Sequence, residues 1–164
     1  MRGYLLVVMM LTCAALAGCA ETRQAVGLSA EPAGAPPLPQ ARILMREVDE
    51  TGNPHSTPLK GRDGTPLLLK EPPLVTTADV ASVALGMDAT GQPVLNVQMT
   101  DAAAPRILAA TQARIGRRVA FSVGERVLTV ATVAGPFGKA MQVAGLEDAG
   151  DAQRMYTEIT GQTR

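Results

Sequence analysis

Two stretches in which apolar residues alternate with small or polar ones, 82–87 and 95–100, constrain the fold of this chain more than any other feature. A period of two puts every second side chain on one face, as in a β-strand with one buried face. The loop at 88–92 contains Gly91, and a glycine in so short a connection favours a hairpin. The sequence therefore predicts an antiparallel hairpin. Its predicted inward residues are Val83, Leu85 and Met87 in one strand and Leu95, Val97 and Met99 in the other.

The pattern changes to helical spacing over residues 101–115. Apolar or small side chains recur there every three or four positions, which is typical of a helix with one buried stripe. Gly116 follows the last of them, at the place where a left-handed residue commonly ends a helix. The sequence thus predicts one helix that ends before Gly116. Its predicted inward residues are Ile107, Leu108, Thr111 and Ile115.

Strand patterns return after this helix, and a second helix closes the chain. Alternation over 119–123 and 128–130 brackets a predicted tight turn at Gly124-Glu125, and residues 141–143 predict one more strand. A final helix is predicted near 148–160, with Asp148 as its cap. Together the elements predict an α+β fold, an antiparallel sheet of about five strands with two helices packed on one face. The second helix is predicted to bury Ala152, Met155, Tyr156 and Ile159.

The first eighteen residues read as a secretory signal peptide. Arg2 precedes an apolar run from Tyr4 to Ala17, and small residues follow it. Fourteen helical residues span roughly 21 Å, which is short of the roughly 30 Å hydrocarbon core of a bilayer. An uncut membrane anchor is the other interpretation of this run. Two cysteines, Cys13 and Cys19, lie in or next to it.

Leu16-Ala17-Gly18-Cys19 resembles the lipobox of bacterial lipoproteins. The resemblance implies cleavage between Gly18 and Cys19, attachment of acyl chains such as palmitate to Cys19, and thus a membrane anchor. Ala20 at the next position implies the outer membrane rather than the inner one. Cys13 would leave with the signal, so the mature chain would have no free thiol for a disulfide, a metal or a nucleophile.

Three further segments are predicted after the signal. Residues 19–40 form a tether rich in proline and alanine, with four prolines between Pro32 and Pro39. Residues 41–74 are predicted as an extended or looped lead-in, with a first strand within 41–49. Residues 75–164 are predicted to form the folded domain.

Four stretches of the predicted domain follow one another in the order "LVTTADV", "DATGQPVLNVQMT", "IGRRVAFSVGERVLTVATV" and "MQVAGLEDAGDAQRMYTEI". They resemble the head subdomain of the first periplasmic domain of SecD, a subunit of the bacterial protein-export machinery. The similarity extends over residues 75–160. It rests on the order of the predicted strands and helices and on the residues at their turns and ends, and the main aligned positions are Gly116, Ala120, Gly124 and Gly145. The glycines are expected to have structural roles.

The resemblance implies the SecD head fold and a connection with protein transport on the periplasmic side of the envelope. SecD proteins span the membrane several times, whereas this sequence has no apolar run of that length after the signal. A proline usual on the returning strand of the family is also missing at 131–133. The fold therefore carries over better than the function.

Two features are candidates for contact with a partner. The loop Gly135-Pro136-Phe137-Gly138 presents one of the chain's scarce aromatic side chains, which either fits a partner's pocket or folds back over the core. The second candidate is a basic concentration that either meets an acidic or phosphate-bearing surface or simply keeps the domain soluble. Its members that we assign to partner binding are Arg114, Arg117 and Arg118.

Catalytic chemistry has little support in the residues. His55 with Ser56 and Asp49 would make a hydrolytic trio, but a lone loop histidine is more typical of a solvated side chain. Glu147, Asp148 and Asp151 would suit either a weak calcium site or the positive end of the last helix. A net charge of zero gives no field that would attract nucleic acid. We therefore expect a non-catalytic, cofactor-free and metal-free domain that binds an envelope protein or an emerging polypeptide, or alternatively a small ligand or cell-wall fragment.

Overall fold

The computed structural model describes residues 33–163. The predicted signal segment 1–18, Cys19 and the larger part of the predicted tether lie outside these residues. Within the described range the chain forms nine strands and two α-helices. The strands are β1 Ile43–Glu47, β2 Thr57–Lys60, β3 Pro66–Leu69, β4 Val75–Thr76, β5 Val80–Met87, β6 Pro93–Met99, β7 Arg118–Val123, β8 Arg126–Thr132 and β9 Ala140–Val143, and the helices are α1 Ala104–Gln112 and α2 Ala149–Thr160.

The α+β class is confirmed, but the strands are divided among three antiparallel sheets rather than one sheet of about five. Their orders are β4-β1-β7-β8, β2-β3 and β5-β6-β9. The predicted hairpin is β5-β6, with Val83 opposite Val97 and Leu85 opposite Leu95. The predicted Gly124 turn joins β7 and β8, and β7 pairs with β1 rather than with that hairpin. A single sheet is the wrong prediction because alternation within a strand does not specify which strands pair.

One hydrophobic core unites the larger sheets and both helices. Ile43 and Met45 of β1 meet Phe121 of β7, and residues of β5, β6 and β9 join the same core. Helix α2 contacts β5 and β6. It buries Ala152, Met155, Tyr156 and Ile159, as predicted, and Asp148 caps it by accepting a hydrogen bond from the Asp151 amide at 2.7 Å.

One face of the four-stranded sheet contributes to the main core, and the hairpin β2-β3 covers the opposite face. It buries Leu67 and Leu69 against Val48, Ala120 and Val127 in a second, smaller core. At its tip the Arg62 guanidinium donates to the Gly145 carbonyl and lies 2.8 Å from Glu147 and 3.4 Å from Asp151. The hairpin is therefore tied by one arginine to the segment that leads into α2.

The fold begins earlier than the predicted boundary at residue 75. Strand β1, within the predicted lead-in, lies between β4 and β7, and Ile43 and Met45 are fully buried. The end of the predicted tether is also part of the fold, since Ala35 exchanges both backbone hydrogen bonds with Val83. The Leu38 amide likewise donates to the Ile159 carbonyl at 2.7 Å.

Three glycines singled out in the sequence all have positive φ, namely Gly116 (82°), Gly124 (59°) and Gly145 (91°). At Gly145 a Cβ atom would also lie 3.2 Å from the Leu128 carbonyl oxygen. A side chain there would therefore combine an unfavourable backbone conformation with a close contact.

Candidate partner-binding surface

Helix α1 carries the first part of the candidate surface. It begins at Ala104, beside Pro105, a residue that is well tolerated in a first helical turn. Ile107 and Thr111 are its fully buried side chains. The predicted stripe is too wide, because Leu108 is 45% exposed and Ile115, which lies beyond the helix end at Gln112, is 52% exposed. Two large apolar side chains predicted to be inside are thus at the surface.

The loop at 135–138 lies against this helix. The Thr111 hydroxyl donates to the Phe137 carbonyl at 2.8 Å and accepts from the Phe137 amide at 3.1 Å. A Cβ on Gly138 would lie 2.6 Å from the Ala104 carbonyl oxygen and 2.9 Å from the Leu108 Cβ. Glycine at 138 therefore permits the close approach of loop and helix.

Phe137 is half-buried and packs against the main core, while Pro136 is exposed. Of the two arrangements that the sequence allows, folding back over the core is the one observed. The aromatic ring is thus held in place by the core and by the Thr111 hydrogen bonds. The next residue, Gly138, lies against Leu108 of α1.

The three candidate arginines lie near the end of α1 but have different partners. Arg114 Nε is 2.9 Å from Glu47 Oε2, and the other oxygen of that carboxylate is 2.7 Å from Lys70 Nζ. Burial opposes ionisation of Glu47, but Lys70 and Arg114 outweigh it and lower the pKa of this carboxyl below its ordinary value. Arg114 is consequently engaged within the domain.

Arg118 and Arg117 are less constrained. Arg118 is 3.7 Å from Glu50, and both side chains are substantially exposed, an arrangement that contributes little to stability. Arg117 is exposed and forms no ion pair with another of residues 33–163. We call Leu108, Ile115, Phe137, Arg117 and Arg118 the α1 surface. It combines exposed apolar area with Arg117, which has no ion pair within residues 33–163, and Arg118, whose ion pair with Glu50 is exposed to solvent.

The polar residues considered for catalysis form hydrogen bonds within the loop that follows β1. The buried Asp49 carboxylate accepts hydrogen bonds from the amides of Thr51 at 2.9 Å and Asn53 at 2.6 Å. The hydroxyls of Thr51 and Ser56 donate to it at 2.6 and 2.7 Å. These bonds, those from Thr51 and Ser56 first, hold the pKa of Asp49 far below its usual range.

Ser56 and Asp49 are thus brought together, but the Ser56 hydroxyl is directed to Asp49 as a loop contact. His55 is exposed, and its backbone amide donates to the Asn53 side chain at 3.0 Å.

The acidic residues before α2 are also engaged. Asp151 lies 3.4 Å from both Arg62 and Arg154, and its pKa is lowered because the Glu147 amide and these cations outweigh burial. Among residues 33–163 no group of three histidine, cysteine, aspartate or glutamate side chains is arranged to hold a metal ion. Sequence alone predicts no contact for Arg62, since its partners lie more than eighty residues away in the chain.

Neither α1 nor α2 has the length and apolar character needed to cross a bilayer.

Comparison with known proteins first defines the class of this domain as an α+β head subdomain. The family model "SecDF, P1 head subdomain" matches residues 55–161, which is more than half of the chain. The chain therefore belongs to the SecDF P1 head subdomain family. The match begins twenty residues before the start of the resemblance found in the sequence at residue 75.

Individual relatives agree with this assignment. Protein translocase subunit SecD of Aquifex aeolicus (strain VF5) is 26% identical over 109 residues, which cover 66% of this chain and 22% of the relative. A solved chain described as "Structure and function of a membrane component SecDF that enhances protein export" superposes with a TM-score of 0.58 at 23% identity, over 72% of this chain and 61% of the other. A second, "Crystal structure of SecDF in Super-membrane-facing form", has the same TM-score and identity over 73% of this chain and 18% of the other. The chain spans about a fifth of the length of the SecD protein that it matches.

Proposed function

We propose that this protein is a lipid-anchored component of the cell envelope whose SecD-type head domain binds a protein partner or an emerging polypeptide without catalysing a reaction. The domain faces the periplasm, and its role belongs to protein export, as the names of its relatives suggest. The observation that carries the proposal is the α1 surface. Leu108 in α1 and Ile115 just after it are exposed, and Arg117, two residues after Ile115, has no ion-pair partner within residues 33–163. Exposed apolar groups beside arginine are typical of protein-binding surfaces.

Substituting Leu108 by glutamate is expected to abolish most partner binding. Leu108 is already exposed, so the charge does not enter the core and the fold is retained. A carboxylate in the middle of an apolar contact would be buried on binding without a partner, which is costly. We expect the full chain, used as bait in solubilised envelopes, to recover its partners at about one tenth of the wild-type amount, since one central residue often controls an interface. Quantitative mass spectrometry of the recovered proteins makes the measurement.

Met87→Glu is the matched control, because Met87 is 61% exposed and lies at the end of β5, outside the α1 surface. Its recovery of partners should equal that of the wild type. Phe137→Ala is a poorer test, since Phe137 packs against the core and its loss would also affect folding. Equal recovery by wild type and Leu108→Glu, from envelopes of the source cell, would remove the α1 surface as the binding site.

The membrane anchor is a separate part of the proposal and rests on the lipobox at 16–19. Acyl chains on Cys19 would each contribute about 0.8 kcal/mol per buried methylene, so two or more chains hold a protein stably on a bilayer. Cys19→Ala should accumulate at the unprocessed size and lose incorporation of labelled palmitate, whereas Cys13→Ala should behave as wild type. Gel mobility, labelling and sucrose-gradient fractionation measure these properties, and the gradient also tests the proposed outer-membrane location. Processing and labelling of Cys19→Ala at wild-type levels would refute the anchor.

A further inference from the structure

A second surface feature lies outside the α1 surface, in a groove between residues 36–44 and 76–80. Its volume is about 610 Å³, within the range of sites that hold ligands. Thr76 and Thr77 lie at one wall, in a turn closed by a reciprocal capping box with Asp79. None of the acidic side chains of residues 33–163 lines the groove. The apolar lining residues are Pro36, Pro37, Pro39, Leu44, Ala78 and Val80.

Arg42 is the charged residue of this groove. It is exposed and forms no ion pair within the part of the chain that the structure describes. Its φ of 50° is the one positive value found there for a residue other than glycine. Such a conformation is unfavourable for a side-chain-bearing residue and persists where the surroundings impose it. Two contacts do so, since the Arg42 carbonyl accepts the Gly124 amide at 3.2 Å and the Ala41 amide donates to the Leu38 carbonyl at 3.0 Å.

A glycine at position 42 would relieve this backbone strain, and yet the chain has arginine there. An arginine thus lines this largely apolar groove at a cost in backbone strain. No carboxylate of the described residues neutralises its charge. This combination indicates a ligand that brings its own negative charge next to apolar groups.

We propose that this groove binds an extended polypeptide segment in which apolar side chains flank a carboxylate, with Arg42 as the carboxylate's partner. The inference rests on the proposed polypeptide-binding function and adds a site and a sequence preference to it. Charge complementarity carries it, because the described lining offers one unpaired cation and no acid. The groove is open to solvent, which suits a passing chain, and the three prolines make a wall that needs no ordering on binding.

Binding of defined peptides tests the proposal. The probe is a fluorescein-labelled peptide of about twelve residues of leucine, valine and serine with one central glutamate, and its partner probe has glutamine there. The full chain, in nanodiscs of phosphatidylcholine, is expected to bind the glutamate peptide about tenfold more tightly, as charge-assisted hydrogen bonds usually allow. Arg42→Gln should remove this preference, whereas Arg42→Lys should retain part of it.

Two further variants distinguish binding at the groove from a structural role of Arg42 and from a general effect of losing one cation. Arg42→Gly should lose the preference and unfold at a higher temperature than wild type, which a purely structural role for the arginine would not produce. Lys60→Gln removes an exposed cation of β2, outside both the groove and the α1 surface, and should keep the preference. A failed envelope pulldown with Leu108→Glu would not alter these peptide results, so the two proposals fail separately.

Equal affinity for both peptides, or a preference that survives in Arg42→Gln, would overturn the proposal. Binding of sodium laurate at the groove with no peptide binding would also overturn it and assign the site to an amphiphile. Competition between laurate and the glutamate peptide, lost in Arg42→Gln, would support it, since both would use the same guanidinium.

Discussion

A fragment that begins at residue 75 should show no cooperative unfolding transition, although residues 75–164 include both helices and six of the nine described strands. A fragment that begins at residue 55, where the family match starts, should fail in the same way. A chain that begins at residue 33 should unfold cooperatively. Circular dichroism during heating distinguishes the three, because only a cooperative domain gives a sharp transition.

The reason is the position of β1 in the middle of its sheet. Its removal separates β4 from β7 and leaves one side of both strands without hydrogen-bond partners. Ile43 and Met45 are both fully buried, and burial of each such side chain contributes about 1.5–3 kcal/mol. A domain has only about 5–15 kcal/mol of net stability, so the loss of these side chains together with the strand's hydrogen bonds removes most of it.

Met45→Ala in the chain from residue 33 tests the same contribution of β1 with a smaller change than the truncations. It should lower the free energy of unfolding by about 2–5 kcal/mol and still leave a measurable transition. A cooperative transition in the fragment from residue 75, with a midpoint near that of the longer chain, would contradict the assignment of β1 to the core.

The local sequence pattern predicts most of the strands and both helices, but it does not predict which distant strands pair with one another. Alternation and glycine turns predicted β5-β6 and the β7-β8 turn, because a hairpin is a contact between neighbours in the chain. Residues 41–49 also had a strand pattern, but their partners at 75–76 and 118–123 are distant in sequence. No local signal states such a pairing, and the proline-rich and glycine-rich residues on either side suggested a lead-in instead.

The candidate site shows the same limit. The sequence assigns Arg114, Arg117 and Arg118 to one partner-binding group because they are close together in the chain. The structure then engages Arg114 with Glu47, sixty-seven residues away, and leaves Arg117 without an ion pair in the described range. No sequence pattern points to Arg42 as a binding residue. It stands out only by its backbone angle and by its place in a groove formed by segments far apart in sequence.

Ile107→Ala should be the most damaging single substitution in α1, lowering the free energy of unfolding by about 2–5 kcal/mol. Ile107 is fully buried and is the large apolar side chain by which the helix joins the main core. The cavity left by its loss adds to the lost burial, because the surrounding structure relaxes only in part. Since Thr111 fixes the Phe137 loop to the same helix, loosening of α1 should also weaken partner recovery through the α1 surface.

Leu108→Ala is the matched control, one residue along the same helix and 45% exposed. It should change the free energy of unfolding by about 0.5 kcal/mol or less, since surface substitutions outside special contacts have small effects. Urea titrations give both free energies of unfolding. The two variants can be compared if the slope of free energy against urea concentration is unchanged, because the area exposed on unfolding is then the same. Equal losses for the two variants would favour the wider buried stripe predicted from sequence, in which Leu108 faces the core beside Ile107. A large loss for Ile107 alone would establish that Leu108 is free for a partner, as the α1 surface requires.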